Sequence, residues 1–294
     1  MVLRREPDPH QVGAFLMLLR FRGEDQAEIA GMVEAARDSV GSTWSGPCVD
    51  LDWPSYGAGR TRGAPWFLLS ALALARTGAT VLMHGSNEYS AGISVEAGLQ
   101  ALGLQPATGR DDAAAVLRRD GFAYLPLAAL SPPMADLLRM RRLFGLRSPV
   151  NTAARLLNPG DAAASVDGVF HPPYLAVHLG VAELLGQPRL FVLKGGGGEA
   201  ERVPLKFATG WLWDKAQGQS EIALPACQGL ASLTPSTDTP ALLASVWRGE
   251  AAPPTAVATI TATIGLGLLA LGWATNAEAA DHDAERIWRD RRPA

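Results

Sequence analysis

Short apolar runs of strand length alternate with helix-patterned segments over most of this chain, and that alternation limits its fold more than any other feature. Ala79–Met83, Phe122–Leu127, Ser165–Val169, Arg189–Leu193 and Glu221–Leu224 read as strands. Pro65–Arg76, Ser94–Leu102, Asp111–Arg119, Pro133–Phe144 and Tyr174–Leu185 read as helices, with Pro65 near a first turn and Gly103 just past a last one. Further helices follow from Pro240 to Trp247 and through the C-terminal third. Such alternation lays helices over both faces of a largely parallel sheet. Ligands of these sheets sit beyond the C-terminal ends of the strands. Ahead of the alternating region, His10–Arg20 and Glu24–Arg37 carry apolar residues at helical spacing, joined at Gly23. Gly41–Gly63, rich in Gly, Ser and Pro, reads as a loop. The expectation is an α/β protein. It has a small α-helical domain, residues 1–46 with 131–158 contributing, and a larger α/β domain, residues 47–294, with a mostly parallel central sheet. Met1–Glu6 resembles the tail of a helix, so a first helix is expected upstream.

Several function classes are disfavoured at once. A net charge of -3 gives no global attraction to nucleic acid or to an anionic membrane, so any such binding needs a local patch. Cys48 and Cys227, far apart, make neither a disulfide framework nor a metal-ligand set. The opening MVLRREPDPH has no apolar signal core, which favours the cytoplasm. Thr255–Ala274 is long enough to span a bilayer, but it carries Thr and Gly and lacks close basic flanks. It reads as a buried core helix, with no membrane partner.

Chemistry concentrates between Leu137 and Gly160. Arg139, Arg141, Arg142, Arg147 and Arg155 fall in a window with no acidic residue between Asp136 and Asp161. Arginine presents a planar fork of donors matched to phosphate or carboxylate, so an anion from outside is implied, unless the segment is a solvated basic face. The helix runs into Gly145 and a loop with Ser148, Asn151 and Asn158. A second candidate is the strand-end loop His84-Gly85-Ser86-Asn87, where a glycine lets backbone amides approach a phosphate. His84 also suits a structural role there. A third is Lys194–Glu201, whose four glycines permit close backbone approach and whose Glu199 and Glu201 suit Mg²⁺. A flexible loop with solvated acids accounts for it equally well. A fourth is Trp44, Trp53, Tyr56, Arg60, Arg62 and Trp66, which suits either base stacking or a packed covering loop. His171 and His178 are seven apart on one helix face, with no acidic or Cys partner at ligand spacing.

Together these elements resemble the anthranilate phosphoribosyltransferase family, which shares its fold with pyrimidine nucleoside phosphorylases. Arg141, Gly145, Arg147, Asn151, Asn158 and Pro159 match that family's R…G-x-R-T-x-x-N…N-P register, with Ser148 for the threonine. Met83-His84-Gly85 falls on its K-H-G, Lys194–Glu201 loosely on its acidic loop, and HQVGAFLMLLRFRGE on its second helix. The departures are as telling. The family's G-T-G-G-D pyrophosphate loop corresponds to Asp52–Gly59, and its F-N-I-S-T to Pro65–Ser70, so most phosphate-facing glycines and hydroxyls are replaced. Losing one preorganised donor alone typically costs about 100- to 1000-fold in rate. The Asp52-Trp53-Pro54-Ser55-Tyr56 phrase is similar to the YbiB-like branch. That likeness implies a homodimer formed through the helical domain and nucleic acid held with little sequence preference. The expected site is then a cleft lined by Arg139, Arg141, Arg142 and Arg147, with Asn151, His84, Gly85 and Asn87. The alternative is a transferase using phosphoribosyl pyrophosphate, with Mg²⁺ on Glu199 and Glu201 and an acceptor carboxylate on Arg141.

Overall fold

A computed structural model describes residues 1–41, 44–57, 63–86, 88, 92–227 and 238–291. The chain forms α1 (Pro9–Arg22), α2 (Gln26–Ser39), β1 (Leu51–Ser55), α3 (Trp66–Ala75), β2 (Val81–Gly85), α4 (Val95–Ala101), α5 (Arg110–Asp120) and β3 (Phe122–Pro126). The short α6 (Leu127–Leu130), α7 (Pro132–Arg139), α8 (Arg141–Phe144) and α9 (Val150–Arg155) precede β4 (Ala164–Val169), α10 (Tyr174–Leu184), β5 (Arg189–Lys194), β6 (Ala208–Asp214) and β7 (Gly218–Leu224). It closes with α11 (Pro240–Arg248), α12 (Pro254–Leu271) and α13 (Ala277–Asp290). A small helical N-terminal domain thus accompanies a larger α/β domain, as the alternation implies.

The first two helices start on built caps. Asp8 and Gln11 form one capping box and Asp25 and Glu28 another, each satisfying otherwise orphaned backbone donors. Gly23 turns the chain between them at φ 85°. The expected helix Pro133–Phe144 is broken at Met140, and α8 ends on Gly145 in the left-handed region.

The sheet runs β3-β2-β1-β4-β5-β6-β7. Pairings from β3 through β5 are parallel; β6 and β7 are added antiparallel. Period-two alternation assigns the faces. On β2, Val81 and Met83 join the core under α3, α12 and α13, whereas Leu82 joins the one shared with α2, α7 and α9. Among the described residues α12 is the one helix long and apolar enough to cross a membrane, and 67% of it is buried inside the fold. Gly267 lets α12 approach α3, since a Cβ there would lie 2.4 Å from Leu74 Cδ1.

One expectation fails in an informative place. Gly41–Gly63 reads as a loop in sequence, yet Leu51–Ser55 is an interior strand between β2 and β4. Aspartate and proline inside LDWPS argue against a strand in general. Here the Leu51 N–H faces the β2 side, donating to Thr80 O, so by alternation Pro54 faces β4. The β1–β4 ladder stops at Asp52↔Ser165, before Pro54 would be asked for a donor. That early divergence opens the sheet between β1 and β4, where the strand order reverses and ligands of doubly wound sheets bind.

Candidate functional site

The chain leaves the strand ends at this crevice through four loops. β1 runs into Tyr56 and Gly57, β2 into Ser86, β4 into Phe170–Pro173, and β5 into the glycine run. Beside β4 lies a cavity of about 280 Å³. Arg20, Arg141, Arg147 and Arg155 line it together with Ser148 and Asn151 from the α8–α9 segment. Phe170, His171, Tyr174 and His178 supply an aromatic side, and no Asp or Glu is among the described lining residues.

Four guanidinium groups in one cavity repel one another, and partial burial removes the water that would screen them. Burial first, then Arg141, Arg155 and Arg20, push the Arg147 guanidinium down to about 10. Each arginine is positioned locally. Arg155 is buried and donates Nη1 to Gly168 O at 3.1 Å. The Arg147 guanidinium lies 5.6 Å from the Phe170 ring centre. Arg20 donates to the Tyr174 hydroxyl, which in turn donates to the buried Glu24 carboxylate at 2.7 Å. Burial and that carboxylate raise the Tyr174 phenol to about 12, so it remains a neutral donor.

The predicted site residues therefore divide. Arg141, Arg147 and Asn151 are brought together. Arg139 is not, because it pairs with Glu88 at 2.8 Å and with Asp136. The acid-free window in sequence is thus answered by an acid from elsewhere in the chain. Arg142 is exposed and does not line the cavity. Asn87, Arg60 and Arg62 lie outside the described residues. Arg20, Arg155 and His178 complete the cavity, and only the Arg155 window and the His171–His178 spacing hinted at them.

His84 and Gly85 also sit apart from the cavity. His84 is fully buried, with Nδ1 2.9 Å from the Tyr56 hydroxyl and Nε2 3.3 Å from Asp52 Oδ1. Burial raises the Asp52 carboxyl above its usual range and the Tyr56 phenol well above its own. A Cβ on Gly85 would lie 1.8 Å from Ser55 O, so this glycine is required by the close approach of β1 and β2. Trp53, Tyr56 and Trp66 are buried, and Trp44 donates Nε1 to Pro47 O. The aromatic set is therefore covering structure, without a free face for a base.

On the opposite side of the crevice, among the described residues, two backbone amides meet internal carboxylates. Gly195, Gly196, Gly197 and Gly198 fold the loop back so that Glu199 lies over Gly168, where a Cβ would come 2.0 Å from Glu199 O. The Glu199 carboxylate is fully buried and accepts the Gly57 N–H. Glu201 Oε2 accepts the Phe67 N–H in the first turn of α3 at 3.1 Å. A helix N-terminus and a strand-end amide are ready anion sites, and here both donors serve the protein's own carboxylates. Among the described residues no group of three or more His, Cys, Asp or Glu is arranged to hold a metal ion. A magnesium ion needs only one or two carboxylates plus substrate phosphates, and Glu199 and Glu201 lie on this side of the crevice, each with one carboxylate oxygen accepting a backbone amide.

Known proteins share this architecture. The helical bundle domain of the glycosyl transferase family matches residues 1–40, and its α/β domain matches residues 67–286. Anthranilate phosphoribosyltransferase of Nitratidesulfovibrio vulgaris is 31% identical over 232 residues, 76% of this chain and 68% of that protein. The enzyme of the same name from Anaeromyxobacter sp. is 31% identical over 189 residues, 64% of this chain. The match spans 56% of that relative's length. Among solved structures, anthranilate phosphoribosyltransferase from Thermus thermophilus superposes with a TM-score of 0.80 at 23% identity, covering 98% of this chain and 87% of its own. The Saccharomyces cerevisiae protein in complex with PRPP and Mg gives 0.74 at 17% identity, covering 98% and 85%.

Proposed function

This chain belongs to the glycosyl transferase family that includes the anthranilate phosphoribosyltransferases, and on that premise we propose that it holds an external polyanion, nucleic acid of little sequence preference, as the YbiB-like branch does. The observation that carries this reading is a division within one crevice. Four arginines line a cavity on one side, while on the other the Gly57 and Phe67 amides are given to Glu199 and Glu201. The side that would take a pyrophosphate is thus answered by internal carboxylates, and the side that takes an anion from outside is intact. Residues 1–46 with 131–158, and 47–294, are the two units of this arrangement, and a cytoplasmic location, open to cell fractionation, goes with it.

Salt dependence tests it. A single strand held by the cavity arginines should lose about 0.7 log unit of affinity per neutralised phosphate per decade of salt, or roughly 3-fold between about 50 and 200 mM for each phosphate engaged. Fluorescence anisotropy with a labelled oligonucleotide measures it, and a flat profile sinks the reading.

A second reading, transfer from phosphoribosyl pyrophosphate with Mg²⁺ held by Glu199 and Glu201, is favoured by the family itself and by the Saccharomyces cerevisiae neighbour, which is in complex with PRPP and Mg. Thermal denaturation separates the two. Ligand at about 100 times its dissociation constant adds about 2.7 kcal/mol. No Mg²⁺-dependent shift is expected with millimolar phosphoribosyl pyrophosphate, and a shift of several degrees that requires Mg²⁺ would favour the transferase.

A homodimer through the helical domain belongs to the same proposal. Phe15, Leu18 and Phe21 stand three residues apart along α1 at 48%, 68% and 93% exposure. An apolar stripe of that kind is unusual for a free surface. Light scattering should give a dimer at micromolar concentration, and Leu18→Asp with Phe21→Asp should give a monomer. A monomeric parent chain refutes the interface.

A further inference from the structure

We propose that the arginine cavity takes a phosphate monoester, the terminal phosphate of a nucleotide or of a nucleic-acid end, and that the buried Asp167–His178 pair belongs to this site. The inference rests on the anion-binding reading above and goes on to name the anion.

The first argument is the pair itself. His178 lines the arginine cavity from α10, and its Nδ1 lies 2.7 Å from Asp167 Oδ2 on β4. Both side chains are at most 2% exposed. A carboxylate is buried at that depth only when it is paired, because desolvating it alone is expensive. With Nδ1 committed to Asp167, the ring is fixed in rotation, and Nε2 is the ring nitrogen left to meet a ligand. Neither the arginine motif nor the glycine loop accounts for such a pair at the cavity wall.

The second argument is charge density. An internal phosphodiester brings one negative charge, whereas a monoester carries about -1.5 to -2 near neutral pH. Arg20, with Glu24 4.0 Å from it, converges with Arg141, Arg147 and Arg155 on one small cavity, and burial, then the other three arginines, push the Arg147 guanidinium down. A dianion relieves that repulsion more fully than a monoanion does. Arginine forks also match three free phosphate oxygens better than the two of a diester.

The third argument is shape. The cavity measures about 280 Å³, at the small end for ligand sites. A chain end can enter it, whereas an internal phosphate would carry a sugar in on each side. Phe170 is 43% exposed, with His171 edge-on to its ring. It offers the flat apolar surface on which a terminal base can stack.

The test compares one single-stranded oligonucleotide with and without a terminal phosphate, read by anisotropy, with inorganic phosphate as competitor. The phosphorylated strand should bind about 10-fold tighter, and millimolar phosphate should erase the difference. His178→Gln and, separately, Asp167→Asn should bring the ratio of affinities toward one. Equal binding of both strands by the parent chain, each salt-dependent, overturns the monoester inference and leaves the polyanion reading standing. Stabilisation by inorganic phosphate without binding of either strand supports the monoester site and rejects nucleic acid as its source. Absence of both strand binding and phosphate stabilisation overturns both.

Discussion

Replacing Arg141 and Arg147 together by alanine should lower affinity for a single-stranded oligonucleotide by at least about 100-fold at low salt. Hydrogen bonds to charged groups contribute about 1.5–3 kcal/mol each, so losing two arginines removes about 3–6 kcal/mol of binding. The slope of log affinity against log salt should also fall, because fewer cationic groups meet the strand's phosphate. The same change should help the protein when it is empty. Burial and three neighbouring cations disfavour the charged Arg147 in the folded state, so at neutral pH its charge opposes folding. That charge is still partly solvated, and the gain from removing it is limited to about 1 kcal/mol, or roughly 2–4 °C in melting temperature. Arg147→Met, which keeps the apolar stem, isolates this effect. Calorimetry without ligand and anisotropy with ligand should therefore move in opposite directions. A variant that binds as the parent does would remove the cavity from the proposed function.

Gly85→Ala should prevent accumulation of folded protein or cost at least about 3 kcal/mol, as expected when a methyl is forced into a filled space. The obstacle is backbone. The added carbon would lie 1.8 Å from Ser55 O, whose position is held by the β1–β2 ladder and by the Ser86 N–H at 3.1 Å. No side-chain rotation relieves that contact, so β1 and β2 must separate, and with them the buried Tyr56–His84–Asp52 chain. Urea denaturation measures the loss. A Gly85→Ala protein that melts like the parent but no longer binds anions would instead give this glycine the phosphate-approach role its sequence context suggests.

The fold was legible wherever apolar periodicity was clean. β2, β3, β4 and β5 follow from short apolar runs, and α12 from its length and Thr/Gly content. β1 was not legible, because Asp52 and Pro54 belong to the crevice more than to the core. β6 was missed because one side of an antiparallel edge is only half buried, and alternation there is weak. For the site, the arginine motif pointed to the correct segment, but spacing along a chain cannot say which guanidinium turns inward. Arg139 is drawn off by Glu88, and Arg20 arrives from a helix distant in sequence. The Asp167–His178 pair was invisible for the same reason. Its partners lie on a strand and on the helix after it, a separation no metal or triad pattern covers.

The seating of Glu199 also bears on how this architecture can change. Its backbone is seated against Gly168 and Gly195 and its carboxylate accepts the Gly57 amide, while Glu201 holds the first turn of α3. Removing Glu199 would leave the Gly57 amide without that acceptor. Changes that share one network do not add, so substitutions at Glu199 and in the glycine run are expected to couple. Redesign of this side of the crevice therefore has to treat Gly57 and the glycine run as one unit, because Glu199 ties them together.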